Sequence, residues 1–223
     1  MQAIIQTPTP NLADSLQFYQ QLQFTTISET SVTDGKVQID INPDRFARLA
    51  IKFYQEDWTV MLEQIAKEAT LLTTKEGYLI SDPNGILVYL IVGEIPPIPD
   101  AATALTGNFA GISIETIAVK KTILFWQSLG YQLSGGGTSQ GWITLSNGSG
   151  VDISIMEVGV SPHLFFNPSL TYFNGEENLT QIQKIRAANI PITEEITYFN
   201  KEGIVDNIII RDPGGLGFFI FND

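Results

Sequence analysis

The sequence contains no cysteine. Disulfides, thiolate metal sites and cysteine nucleophiles are therefore excluded. It contains a single histidine, His163, so an imidazole-rich metal centre is excluded too. Basic residues are scarce: Lys+Arg 12 against Asp+Glu 24 gives a formal charge of -12. Such a balance repels a phosphate backbone and argues against nucleic acid as a partner. It favours cationic or neutral ligands. Long apolar runs are also missing. ILVYLIV, closing at Val92, is far too short to span a bilayer, so no membrane partner is expected. The first residues, MQAIIQTPTP, have neither a basic start nor an apolar core. No signal peptide is expected, and the cytoplasm is the expected compartment.

What remains is a well-formed globular composition. Hydrophobic residues make up 43% and charged residues only 16% of 223, which excludes a disordered chain and suffices for one large domain or two compact ones. The chain is written twice. DSLQFYQQLQF (Asp14 to Phe24) resembles KTILFWQSLGY (Lys121 to Tyr131), and ISDPNGILVYLI (Ile80 to Ile91) resembles IRDPGGLGFFIF (Ile210 to Phe221). Each half opens with the first signature and closes with the second, and such duplication dominates the reading of a fold. Between them, Gly93 to Asn108 is rich in proline and small residues and reads as a linker.

Periodicity places the elements. Ala3 to Thr7 reads as a strand, and Asn11 caps a helix in which Asp14 is positioned as the acid of a capping box. Leu12, Leu16 and Tyr19 follow at helical spacing. Lys36 to Ile41 alternates as a strand. A second unit repeats the plan: strand Leu49 to Tyr54, a helix marked by Trp58, Met61, Leu62 and Ile65, then strands up to Val92. DPNG at Asp82 to Gly85 suits a tight turn. The second half copies the order, with helices carrying Val119, Ile123 and Trp126 and opening at Asn174 and Glu177. The fold class is therefore α+β, with four β-α-β-β-β units. The expected organisation is a first domain over residues 1–94, a linker over 95–107 and a second domain over 108–223.

A strand, a helix bearing FY or FW followed by a leucine and an aromatic, and a closing DP-x-G hairpin together resemble the vicinal oxygen chelate superfamily. That superfamily includes glyoxalase I, extradiol dioxygenases and bleomycin-resistance proteins. The resemblance covers the chain apart from the linker, and departs from the pattern at Gln23, where Gly is usual. It implies that paired units form a cup with the ligand inside, giving two tandem glyoxalase-like cups. Enzymes of that superfamily typically hold a divalent metal with His, Glu or Gln near the start and end of each unit. Carried over residue by residue, the first cup offers Ile4, Asp40, Arg48 and Tyr89; the second offers Gly111, Ser154 (or Glu157), Pro168 and Phe219. Neither set suits a hard or borderline cation. The resemblance thus implies no metal, no cofactor and no assigned catalytic residue. It implies a ligand-facing set of Gln6, Asp40, Arg48, Lys52 and Tyr89 in the first cup, and Ser113, Ser154, Tyr172 and Phe219 in the second. Tyr89, Tyr172 and Phe219 either line a ligand or fill its space. Arg48 is expected to pair with Asp40 in the metal's electrostatic place, since a buried carboxylate needs compensation.

Other features read plainly. SGGGTSQG (Ser134 to Gly141) lacks the Lys and helix of a phosphate loop and reads as a hairpin loop. His163, in SPHLFFNP, reads as a polar surface residue. Three functional readings follow. The leading one is a metal-independent protein that binds a small aromatic or cationic molecule, in the manner of bleomycin-resistance proteins. The alternative is an enzyme of the same superfamily (a lyase, isomerase or dioxygenase) with a metal site not evident from sequence, or with acid–base work by Asp40, Glu115 or Tyr89. The third is an interaction module with filled cups. A homodimer is left open.

Overall fold

The structure, a computed structural model, describes residues 1–94 and 97–222, with the backbone alone at Thr138. Of the expected linker, Ile95 and Pro96 lie outside the described residues, as does Asp223 of the expected second domain. The first half runs β1 (Gln2–Pro8), α1 (Leu12–Gln21), β2 (Thr25–Ser28), β3 (Ser31–Thr33), β4 (Gln38–Asn42), β5 (Ala50–Gln55), α2 (Thr59–Glu68), β6 (Leu72–Thr73), β7 (Gly77–Ser81) and β8 (Leu87–Val92). The second runs β9 (Phe109–Thr116), α3 (Val119–Ser128), β10 (Gln132–Gly137), β11 (Trp142–Ser146), β12 (Ile153–Glu157), β13 (Ser169–Phe173), α4 (Asn178–Ala187), β14 (Ile192–Ile196), β15 (Asn207–Arg211) and β16 (Gly217–Phe221). Each half is thus two β-α-β-β-β units. No described helix is long and apolar enough to cross a membrane.

The two halves form separate eight-stranded sheets with the same permutation: β2-β3-β4-β1-β5-β8-β7-β6 and β10-β11-β12-β9-β13-β16-β15-β14. In each, the first strands of the two units pair antiparallel at the centre, and the first and last strands of every unit pair parallel. Strand alternation decides what each face carries. Along β5, Ile51 and Phe53 are buried on one face, while Lys52 and Tyr54 point to the other and stay half-buried. Asn11 caps α1 as the sequence implies, accepting from the Ala13 N–H at 3.0 Å. The capping box through Asp14 is not the partner of the Asn11 N–H, which donates to Thr9 Oγ1 at 3.1 Å.

The buried faces of the two sheets share one core. Phe53 of β5 meets Trp126 of α3 edge-on, and Phe18 of α1 meets Phe218 of β16 the same way. The cup faces therefore look away from each other. Two buried tyrosine hydrogen bonds cross this interface: Tyr19 Oη donates to Asp212 Oδ2, and Tyr172 Oη donates to Asp34 Oδ2, both at 2.8 Å. Asp212 opens the second DP-x-G turn and also accepts from Thr7 Oγ1 at 2.8 Å and the Leu216 N–H at 2.7 Å. That turn closes so tightly on the end of β1 that a Cβ on Gly214 would stand 1.8 Å from the Pro8 carbonyl oxygen. The first DPNG turn reaches α3 through Asn84, whose Nδ2 bonds Asp82 and, at 3.2 Å, Thr122 Oγ1.

Burial raises the carboxyl groups of Asp34 and Asp212 above the usual range, against the hydrogen bonds that lower them. Burial, followed by the facing carboxylate, raises the phenols of Tyr19 and Tyr172 well above 10.0. A group whose folded pKa is raised contributes stability that is fully present below its unfolded value and lost as pH rises through the folded one. For Asp34 and Asp212 that loss sets in as pH rises above the ordinary carboxylate range. From neutrality the unfolding free energy should then hold up to about pH 10 and fall beyond it, as the unfolded chain releases phenolic protons that the folded chain keeps. Tyr19→Phe and Tyr172→Phe should each flatten that alkaline slope. Each should also cost about 1–3 kcal/mol at neutral pH by leaving a buried carboxylate short of a donor. Urea melts across pH 7 to 11 read both effects; an unchanged alkaline slope in both variants would contradict the assignment.

Candidate functional site

The shared strand order makes the cup faces directly comparable, position by position. In the first cup, β1 places Ile4 beside Lys52, which is the register partner of Tyr89, and Gln6 beside Asp40 and Ala50. In the second, β9 places Ser113 beside Ser154 and Ser169, and Gly111 beside Thr171, the partner of Phe219. Gln6, Asp40, Lys52 and Ile4 thus stand where Ser113, Ser154, Thr171 and Gly111 stand in the other half. Large side chains occupy the first cup, and small ones leave room in the second.

The first cup satisfies itself. Lys52 Nζ forms an ion pair with Asp40. Gln6 Nε2 donates to the Arg48 carbonyl and its Oε1 accepts from Asn42 Nδ2, both at 2.9 Å. Gln38 Nε2 donates to Ser31 Oγ at 2.8 Å. Tyr54 lies close enough that its phenol is raised by burial, then by Asp40 and Glu76. The expected Arg48–Asp40 pair is not formed. Arg48 precedes the first residue of β5, is exposed, and donates from Nη1 to the Ala47 carbonyl at 2.7 Å. Lys52, two residues inside the strand, faces the cup and takes the carboxylate instead.

The second cup encloses a cavity of about 610 Å³. Its sheet floor carries Ser113 and Ser169, neither of which has a side-chain hydrogen bond among the described residues. Beside them Ser154 bonds Thr144 at 3.1 Å, and Thr171 Oγ1 donates to the Gly111 carbonyl at 3.0 Å. One wall is Trp142, whose indole lies over β10: a Cβ on Gly136 would stand 2.5 Å from the ring. The opposite wall stacks Phe219 on Phe221, centroids 4.8 Å apart and nearly parallel. A segment from Val160 to Phe165 closes the top, with His163 stacked on Phe219 at 4.6 Å and Phe199 edge-on to His163. The segment is pinned by the Leu164 N–H donating to Glu194 Oε2 and by Asn167 Nδ2 donating to the Glu115 carbonyl, both at 2.7 Å. Glu115 itself accepts from the Gly159 N–H. His163 is the one ionisable side chain among the lining residues.

Of the residues expected to face ligand in this half, Ser113, Ser154 and Phe219 line the cavity. Tyr172 does not: it is fully buried in the shared core, because β13 and β16 pair Thr171 with Phe219 on the cup face and Tyr172 with Ile220 on the other. His163 is not a simple surface residue but part of the cavity wall. The run of Leu164, Phe165 and Phe166 beside the lone histidine, apolar residues inside a turn-rich loop, was the signal for it.

No protein-family model and no curated protein matches this sequence. Solved structures do. A halotolerant catechol dioxygenase aligns with 98% of this chain and 85% of its own at 13% identity, with a TM-score of 0.60. A variant of 4-hydroxymandelate synthase from Streptomyces coelicolor aligns with 97% and 90% at 12% identity, TM-score 0.61. The Mn(II)-bound glyoxalase from Novosphingobium aromaticivorans aligns with 97% and 79% at 13% identity, TM-score 0.54. The fold is the tandem vicinal oxygen chelate fold. At these identities the likeness carries the architecture alone. The central cup-face positions of the first sheet carry Ile4, Gln6, Asp40, Lys52 and Tyr89, and those of the second carry Gly111, Ser113, Ser154, Ser169, Thr171 and Phe219. Arg48 and Pro168, expected among the metal positions, precede β5 and β13 instead. Among the described residues no three His, Cys, Asp or Glu side chains converge as a metal set. The residues present do not fit a divalent ion.

The ion pair in the first cup is a local one, with Lys52 and Asp40 each partly open to solvent. Lys52→Ala, which leaves the mostly buried Asp40 carboxylate without its cation, should cost about 1–3 kcal/mol, and Arg48→Ala less than about 0.5 kcal/mol, in urea denaturation. A loss of several kcal/mol on removing Arg48 would contradict the geometry described for it.

Proposed function

We propose that this protein binds a small, neutral, planar aromatic molecule in the second cup without a metal. The observation that carries the reading is the cavity itself: a concave, largely aromatic enclosure with a few hydroxyls on its floor, which is what small-molecule sites use. Stacked Phe219 and Phe221 on one side and Trp142 on the other suit a flat ring. The absence of any carboxylate or ammonium from the lining argues for a neutral guest rather than the cationic one that net charge alone would favour. The free hydroxyls of Ser113 and Ser169 offer polar contacts for a ring substituent. A catalytic reading of the kind found among the structural neighbours lacks a donor set in either cup to carry it.

Binding only the folded state stabilises by about 2.7 kcal/mol at about 100 times Kd. For a chain of this size that is about 5–10 °C in Tm. Flat neutral aromatics should raise Tm to that extent, equally in EDTA and with added Mn, Fe or Zn. Ser154→Phe, which fills the cavity, should abolish the shift. A shift that requires a metal, or one that survives Ser154→Phe, would overturn the proposal.

A further inference from the structure

We propose that His163 makes the second cup selective for aromatic guests that carry an N–H or O–H donor; the inference rests on that cup being the binding site. His163 Nδ1 lies 2.8 Å from the Leu164 carbonyl oxygen. A carbonyl oxygen only accepts, so Nδ1 carries the proton in this contact. In the uncharged ring Nε2 is then a bare acceptor. Among the described residues nothing donates to it. The ring is held in place by its stack on Phe219 and by the edge contact with Phe199.

What singles out this atom is that it cannot adapt. The serine and threonine side chains facing the cavity present hydroxyls, which give or take a hydrogen bond according to the guest. The Met156 sulfur already accepts from Ser161 Oγ at 3.4 Å. An imidazole nitrogen that only accepts is satisfied by a donor. A guest offering none covers it and leaves it unpaired. A site that loses a hydrogen bond on binding the wrong guest discriminates better than one that merely gains less apolar contact.

Indole and benzothiophene test this directly, being the same flat bicycle with and without the N–H. Their affinities for the wild type and for His163→Phe, which keeps a flat ring on Phe219, should be measured by calorimetry. The ratio of indole to benzothiophene affinity should fall by about five- to tenfold in the variant, with benzothiophene itself nearly unchanged. His163→Gln, which retains an acceptor, should keep part of the selectivity. An unchanged ratio, or loss of both ligands in His163→Phe with no selectivity in His163→Gln, would overturn the role of His163 while leaving the cup as the site. Failure of both compounds to bind the wild type would overturn the cup reading and this inference with it.

Discussion

The structure depends on burying two carboxylates, Asp34 and Asp212, between its halves, each against a tyrosine of the opposite half. Neither sheet could leave its apolar face in water, and facing the two together removes both at once. Apolar contact alone does not fix how two such faces register. A buried carboxylate does, because it is costly unless its donors arrive together. Asp212 needs Thr7 from the end of β1 and Tyr19 from α1 in the same place, while Gly214 lets the turn approach the Pro8 carbonyl. The pseudo-symmetric junction is looser. Asn84 bridges to Thr122, and Trp126, standing where the repeat would put a partner to Tyr19, buries its Nε1 without a hydrogen bond.

Because the halves meet through their core faces, the cup faces are free to diverge. They have done so by side-chain size rather than backbone. Long polar groups in the first cup reach one another and pair, so little there is left to answer a ligand. At the matching positions of the second cup, serines and threonine leave a space that the backbone alone would not create. The segment carrying His163 then roofs it. The duplicated fold thus holds one cup that is internally bonded and one that is hollow.

The duplication, the four units and most strand faces were legible because a period of two and a repeated motif are properties of the chain itself. What was not legible turned on register and on loops. Tyr172 was expected in the cup and lies in the core, since a shift of one residue in the β13–β16 pairing exchanges the faces and nothing in the local sequence sets that pairing. Arg48 and Lys52 are both basic and four residues apart. Only the start of β5 decides which of them faces Asp40. His163 sits in an irregular segment, where periodicity says nothing and only the neighbouring Leu164 and Phe165 hinted at burial. The cup-face placement of Ser113, Ser154 and Phe219 was legible because they lie inside regular strands anchored by the motifs.

The central claim is that the hollow second cup, and not the first, receives a flat neutral guest without metal. Crystals grown in EDTA and soaked with 2-bromonaphthalene test it most directly, since anomalous scattering from bromine locates the ring without prior assumption. The account predicts a bromine peak in the second cup, with the naphthalene plane against Phe219 or Trp142 and no density at Asp40 or Lys52. A peak in the first cup, or only on the outer surface, would contradict it.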